Sequence, residues 1–197
     1  MEQNIGQKYD KIARWWHENH NESNYGLPQI ERAISYCKNR GFALDVGCGS
    51  GGRVTRKLLD EGFEVSGIDA SATMIELAQS NHPSLDFEVA DISSWQTDKQ
   101  YDFIVAWDSI FHLPFAMHPP VISKLCSMLQ KDGILIYTFG DATGEIEGNW
   151  HNDTFYYSSI GIQENLRIIM ESNCECRHLE LDQYPEKHVV IIVQKME

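Results

Sequence analysis

The chain has 197 residues, enough for one hydrophobic core, and 42% of them are hydrophobic with no run long and apolar enough to cross a bilayer. Lysine and arginine total 16 against 29 aspartates and glutamates, a formal net charge of -13. Proteins that grip nucleic acid neutralise phosphates with a basic patch; here the longest basic hint, RVTRK from Arg53, reads as one exposed helix face, so the expected partner is a small molecule and not a nucleic acid.

The opening MEQNIGQKYDK lacks the basic start and apolar core of a secretory leader, and the five cysteines show no regular spacing. A reducing, cytoplasmic setting and no disulfide framework are expected. Two helical patterns come first, KYDKIARWWHEN and PQIERAISYCKN, joined by a polar loop from Asn19 to Tyr25; Tyr9, Ile12, Ala13 and Trp16 share one face of the first. From residue 40 onward strands and helices alternate. FALDV is a short apolar strand stopped by glycines, VTRKLLDE a helix stopped by Gly62, and FEVSGID a second strand. Ser71 is the expected N-cap of SATMIELAQS. LDFEVAD and YDFIVAW are strands three and four, VISKLCSMLQ predicts a helix running to Gly133, and GILIYTF is strand five. IQENLRIIMES is a last helix before CRHLELD and HVVIIVQK, strands around the turn QYPEK. Repeated βα units closed by a hairpin define an α/β class with a mostly parallel sheet. In CECRH, Cys174, Cys176 and His178 could line one side of a strand, but three ligands without a partner pair make two ordinary thiols the better reading, and no metal is expected.

The chemistry centres on GCGSGG, where Gly47, Gly49 and Gly52 satisfy G-x-G-x-x-G behind a strand. Alone, that spacing fits a dinucleotide as well as any other adenosine ligand. Asp69, ending strand two, can chelate both ribose hydroxyls of either. Three features favour a ligand without a pyrophosphate. Asp45 precedes the glycines and could help position an ammonium group; Asp91 ends strand three and could accept from an adenine amine; and strand four runs into the polar segment DSIFHLP.

The segments LDVGCGSGG, SGIDAS, VADI and DFIVAWDSIFHLP, in that order over roughly residues 40 to 140, resemble the class I S-adenosylmethionine-dependent methyltransferases. The resemblance implies a Rossmann-like methyltransferase sandwich, α/β, whose seven-stranded, mostly parallel sheet has an antiparallel last strand and N-terminal helices. It implies one domain over 1–197, with 1–40 a helical lid and 41–197 the core. Gly47 and Gly49 would lie under the methionine part of S-adenosylmethionine, Asp69 would hold the ribose, and Asp91 and Ile92 would frame the adenine. Cys48, Ala70, Met74, Trp107 and Asp108 complete the expected cofactor wall, although Cys48 reads as a small filler and Trp107 could equally fill core. Tyr9 and Trp16 would cover the donor, since an aromatic face stabilises a sulfonium cation by roughly 0.5–2 kcal/mol. An NPPY-type signature of base methylation is absent, and MHPP at Met117 lies too far past the strand to replace it.

Methyl transfer from a sulfonium is an in-line displacement that gains from alignment, and a general base is needed mainly for a hydroxyl acceptor. His112 and His188 are the candidate bases, expected near a pKa of about 6.5; His112 could instead cap the turn after strand four. Residues 147–159, read as an aromatic loop, offer His151, Tyr156 and Tyr157 to a small acceptor, and YPEKH offers Tyr184 and Glu186 if strand six is parallel to the rest. A protein that binds the donor without turning it over, or a nicotinamide-dependent oxidoreductase, are the alternatives.

Overall fold

The computed structural model describes residues 4–196. Helices α1 (Ile5–His20) and α2 (Leu27–Tyr36) precede β1 (Phe42–Val46), α3 (Arg53–Asp60), β2 (Glu64–Asp69), α4 (Ala72–Asn81), β3 (Asp86–Val89) and β4 (Tyr101–Ala106). Single 3₁₀ turns at Ile110–His112 and Phe115–Met117 lead into α5 (His118–Ser127), then β5 (Leu129–Gly140), β6 (Thr143–Trp150) and β7 (Asp153–Ile160). The chain closes with α6 (Gly161–Glu171), β8 (Cys174–Glu180) and β9 (His188–Lys195).

Seven strands form one sheet in the order β3-β2-β1-β4-β5-β9-β8. Strands β1 to β5 run parallel; β9 runs antiparallel to β5 and to β8, so β8 again points with the majority. This is the Rossmann-like methyltransferase sheet. Central β4 is buried along its whole length because both faces are covered. Phe103 and Val105 pack with Ile30, Ala33 and Leu58 of α2 and α3, whereas Ile104 and Ala106 pack in the core that holds Val121, Ile122 and Ile169 of α5 and α6. Ser71 caps α4 as expected, its Oγ accepting from the Met74 amide at 3.1 Å.

Three local readings change. Helix α5 stops at Ser127, not near Gly133, and β5 starts at Leu129. Met128 and Leu129 are buried and Leu129 pairs with Tyr101, so burial beside β4 overrides the helical pattern; the pairing then shifts before Phe103 to absorb the extra residues. Residues 147–159 are no loop: β6 and β7 form an antiparallel hairpin whose turn residues, His151 and Asn152, both have left-handed backbone (φ 48 and 60). That is the twist a two-residue hairpin turn requires, and the alternating TFYYSS fills its second strand. In β8 the register shifts between Cys176 and His178, which breaks the alternation that would have aligned Cys174, Cys176 and His178. Among the described residues no group of three such side chains could hold a metal ion, and no helix is long and apolar enough to cross a membrane.

Candidate active site

A cavity opens at the carboxyl edge of the sheet, between the turn after β1, the ends of β2 and β4, and α1. The turn is tied to β2, since the Gly47 and Cys48 amides both donate to the Ile68 carbonyl at 2.8 and 3.1 Å. Gly47 has φ 74, and a Cβ there would stand 2.3 Å from Ser109 Cβ, so the position admits only glycine. Asp69 is fixed from both sides: Oδ2 accepts from the Gly49 amide and Oδ1 from the Ser71 amide, each at 2.9 Å. Burial raises its pKa, and those two amides oppose the rise. Each carboxylate oxygen keeps a second lone pair for a ligand.

Helix α1 is docked onto this edge by residues that carry no motif. Gly6 lets the helix backbone press on the next loop, where a Cβ would come within 2.1 Å of the Ala70 carbonyl. Asp10 Oδ1 accepts from the Ser71 hydroxyl at 2.6 Å and the Thr73 amide at 3.0 Å, a second cap on the N-terminus of α4. The docking puts Tyr9 and Trp16 on the cavity wall, with Trp16 stacked on His20 at 4.0 Å between ring centroids.

The other expected cofactor residues also line this cavity: Asp45, Cys48, Ala70 and Met74 beside the glycine turn, Asp91 and Ile92 after β3, Trp107 and Asp108 after β4. Asp45 is buried and its Oδ2 accepts from the Thr55 hydroxyl at 2.9 Å; burial pushes its pKa up to about 7. Asp91 sits in solvent-exposed backbone, its Oδ1 accepting from the Ser93 amide at 2.8 Å. Trp107 is buried, and its Nε1 has no hydrogen-bond partner within the protein.

His112 lines the cavity, but its bonds contradict the expected base. Nδ1 lies 2.8 Å from the Tyr156 carbonyl, which can only accept, so Nδ1 carries the proton; Nε2 then accepts from the Tyr9 hydroxyl at 2.9 Å. Burial lowers the pKa from 6.5 to about 4. The ring is a neutral spacer joining α1 to β7. The Tyr9 phenol, also buried, is pushed up and stays protonated.

His188 fails as a base for the opposite reason, and it lies outside the cavity wall. Its Nε2 is 2.9 Å from Asp108 Oδ1 and its Nδ1 is 2.5 Å from Asp182 Oδ1. A ring between two carboxylates carries both protons; burial lowers the pKa, but those two hydrogen bonds outweigh it and raise it overall. The expected acceptor contacts are not brought to the cavity either. Strand β8 is parallel to the majority, yet Tyr184 is 83% exposed and Glu186 is also exposed, because the turn folds outward. His151 packs on Trp15 at 4.1 Å, Tyr156 donates to Glu145 at 2.5 Å, and Tyr157 packs on His112 at 4.8 Å, so these three build the hairpin and its contacts.

Several residues in and around the cavity carried no motif. Arg53, read as part of an exposed face, is half-buried, lines the cavity, donates from Nε to the Tyr25 carbonyl at 2.6 Å and lies over the Tyr25 ring at 5.4 Å. Its place as the first residue of α3 after the glycines was the available clue. Ser109, Asp10 and Asp182 could not be found by spacing, because their partners are brought in by the fold.

A parallel sheet with one reversed strand, a glycine turn after β1 and an acid fixed at the end of β2 define the class I methyltransferase architecture. Residues 43–133 match the family described as Methyltransferase domain. The chain is 28% identical over 200 aligned residues to a ubiquinone biosynthesis O-methyltransferase of Rickettsia prowazekii, covering 88% of this chain and 78% of that protein. It is 31% identical over 150 residues to a trans-aconitate 2-methyltransferase of Escherichia coli, covering 70% of this chain and 58% of that protein. The structure of an S-adenosylmethionine-bound amino pentose methyltransferase from Micromonospora echinaspora superposes with a TM-score of 0.72 over the whole of both chains at 13% identity, a likeness of fold. Across its curated relatives the chain spans between 35% and 80% of their length. The fold is thus that of the class I S-adenosylmethionine-dependent methyltransferases, and nearly half of the chain matches a methyltransferase family.

Proposed function

We propose that this protein transfers the methyl group of S-adenosylmethionine to a small-molecule acceptor, with the carboxyl-edge cavity as the donor site. The observation that carries the reading is the charge of the cavity wall: Asp69, Asp91 and Asp108, with Asp45 partly ionised at neutral pH, line it against the single arginine Arg53. A pyrophosphate would be repelled by that set, whereas a sulfonium and an ammonium are attracted. Asp69 would take the two ribose hydroxyls on its remaining lone pairs, Asp91 and Ile92 would flank the adenine, and the Gly47–Gly49 turn would carry the methionine part, with Arg53 available to its carboxylate. Residues 1–40 would act as a lid, since Tyr9 and Trp16 of α1 stand on the cavity wall. The names of the relatives, an O-methyltransferase of ubiquinone biosynthesis and a trans-aconitate 2-methyltransferase, support an acceptor of metabolite size. In the transfer a nucleophilic atom of the acceptor bonds to the methyl carbon while the carbon–sulfur bond breaks and its electron pair stays on sulfur.

Calorimetric titration of the pure protein with S-adenosylmethionine and with NADH tests the donor; binding of NADH alone would overturn it. Formation of S-adenosylhomocysteine with a metabolite library then separates an enzyme from a binder.

A further inference from the structure

We propose that Asp108 is the proton acceptor for the methyl acceptor, held in position by His188 and Asp182, and that the acceptor therefore presents a hydroxyl rather than a carboxylate. The inference rests on the donor site proposed above. Its basis is a chain of polar contacts that joins the cavity to the β8–β9 turn. Asp108, two residues past the end of β4, has φ 50, a backbone that costs a non-glycine residue energy and persists where surrounding structure imposes it. Its amide donates to Thr138 Oγ1 at 2.9 Å, and the Thr138 hydroxyl lies 3.1 Å from Asp108 Oδ1. His188 Nε2 donates to the same Oδ1 at 2.9 Å, and the far nitrogen of that ring is held by Asp182, whose side chain is 4% exposed. Thr138 and His188 both converge on Oδ1, and the Tyr25 hydroxyl also hydrogen-bonds this carboxylate, which leaves it one lone pair for a bound hydroxyl.

The remaining basic groups of the wall are already committed. His112 is neutral with its lone pair taken by Tyr9, Asp45 is bonded to Thr55, and Asp69, held by two amides, is reserved for the ribose of the donor. The groups that face His188 are Asp108 after β4, Asp182 in the β8–β9 turn, the Tyr25 ring at 6.5 Å in the α1–α2 loop and the Trp107 ring at 5.9 Å; Arg53 of α3 faces Asp108 across Tyr25. A carboxylate acceptor would meet the Asp108 carboxylate with like charge, whereas a hydroxyl can donate to its remaining lone pair. The step balances: the hydroxyl oxygen bonds to the methyl carbon, the carbon–sulfur bond breaks with its pair on sulfur, and the hydroxyl proton passes to Asp108 and then to water. Asp108 is thus the catalytic group, and His188 and Asp182 are positioning residues.

The test uses the full chain with S-adenosylmethionine and two acceptor probes, catechol and trans-aconitate, with products identified by mass spectrometry. The expected result is methylation of catechol on oxygen and none of trans-aconitate. Asp108→Asn should slow the transfer by about 10²–10⁴-fold, the usual worth of a general base. The rate should fall as pH rises through the His188 pKa, and Asp182→Asn should move that fall to lower pH, which a merely structural role would not do. Nitrogen-15 NMR of the wild-type His188 ring should show both nitrogens protonated at pH 7, independent of any variant's folding. A methyl ester of trans-aconitate, no methylated catechol, an undiminished Asp108→Asn rate or a neutral His188 ring at pH 7 would each overturn the proposal. S-adenosylhomocysteine calorimetry distinguishes the two levels. Failure to bind removes the donor site and this proposal together, whereas binding alongside any of those results removes this proposal alone.

Discussion

At the scale of single residues, the proposed donor site should depend on Asp69 more than on any other carboxylate of the cavity. Its orientation is set by two amides at 2.9 Å, so replacing it removes a pre-aimed charged acceptor without disturbing the sheet. Asp69→Ala should weaken S-adenosylmethionine binding by about 1.5–3 kcal/mol in calorimetry, and Asp91→Ala by less, because Asp91 is exposed and offers one contact. Wild-type affinity in both variants would refute the assignment. His112 gives a second prediction, of opposite sense to the sequence reading. Its pKa is depressed from 6.5 to about 4, so the unfolded chain binds more protons between those values, and stability present above pH 6.5 is lost as pH falls toward 4. Denaturant unfolding of His112→Gln should show a shallower acid limb over that window than wild type. His118, also depressed by burial, leaves a residual slope of the same sign. The glycines and Asp69 were legible in the sequence because they are close to one another in the chain. The partners of His112 and His188 were not: Tyr9 and Asp108 lie 103 and 80 positions away, and only the fold decides whether a histidine meets a carbonyl or a carboxylate.

At the scale of elements, α1 and the β6–β7 hairpin form one cover. Lys11 pairs with Asp153 at 2.7 Å, Lys8 donates to the Thr154 carbonyl at 2.5 Å, and Tyr9 packs edge-on against Phe155 at 5.5 Å. The exposed ion pair contributes little, about 0–1 kcal/mol, so the aromatic packing and the Asp10 cap carry the docking. Deleting residues 1–17 should leave a folded sheet, read by circular dichroism, with poor donor affinity; full affinity would make the helix packing alone. Asp10→Ala should reproduce part of that loss, since it frees α1 from Ser71 and Thr73. The shared face of Tyr9, Ile12, Ala13 and Trp16 was legible from helical spacing, whereas the docking through Gly6 and Asp10 was not, because neither residue belongs to a pattern. The hairpin was misread as a loop for a related reason: its His-Asn turn lacks glycine, and left-handed φ at two ordinary residues leaves a weak local signal.

At the scale of the whole molecule, the strand order follows from burial. Strands such as YDFIVA, apolar on both faces, must sit in the middle of a covered sheet, and the mixed pattern of β3, exposed at three of its four residues, belongs to an edge. That logic, together with the glycine turn, made the architecture readable from residue 40 onward. The acceptor class was not readable, because it depends on how β4, β5, α1 and the β8–β9 turn converge. The net charge of -13 extends into the cavity wall, where aspartates outnumber Arg53. The central claim is that this wall binds S-adenosylmethionine, and calorimetric titration of wild type and Asp69→Ala tests it most directly. One site per chain in the wild type, weakened by tenfold or more in the variant, is the result the account predicts. No heat of binding with S-adenosylmethionine, or equal affinity in the two proteins, would contradict it.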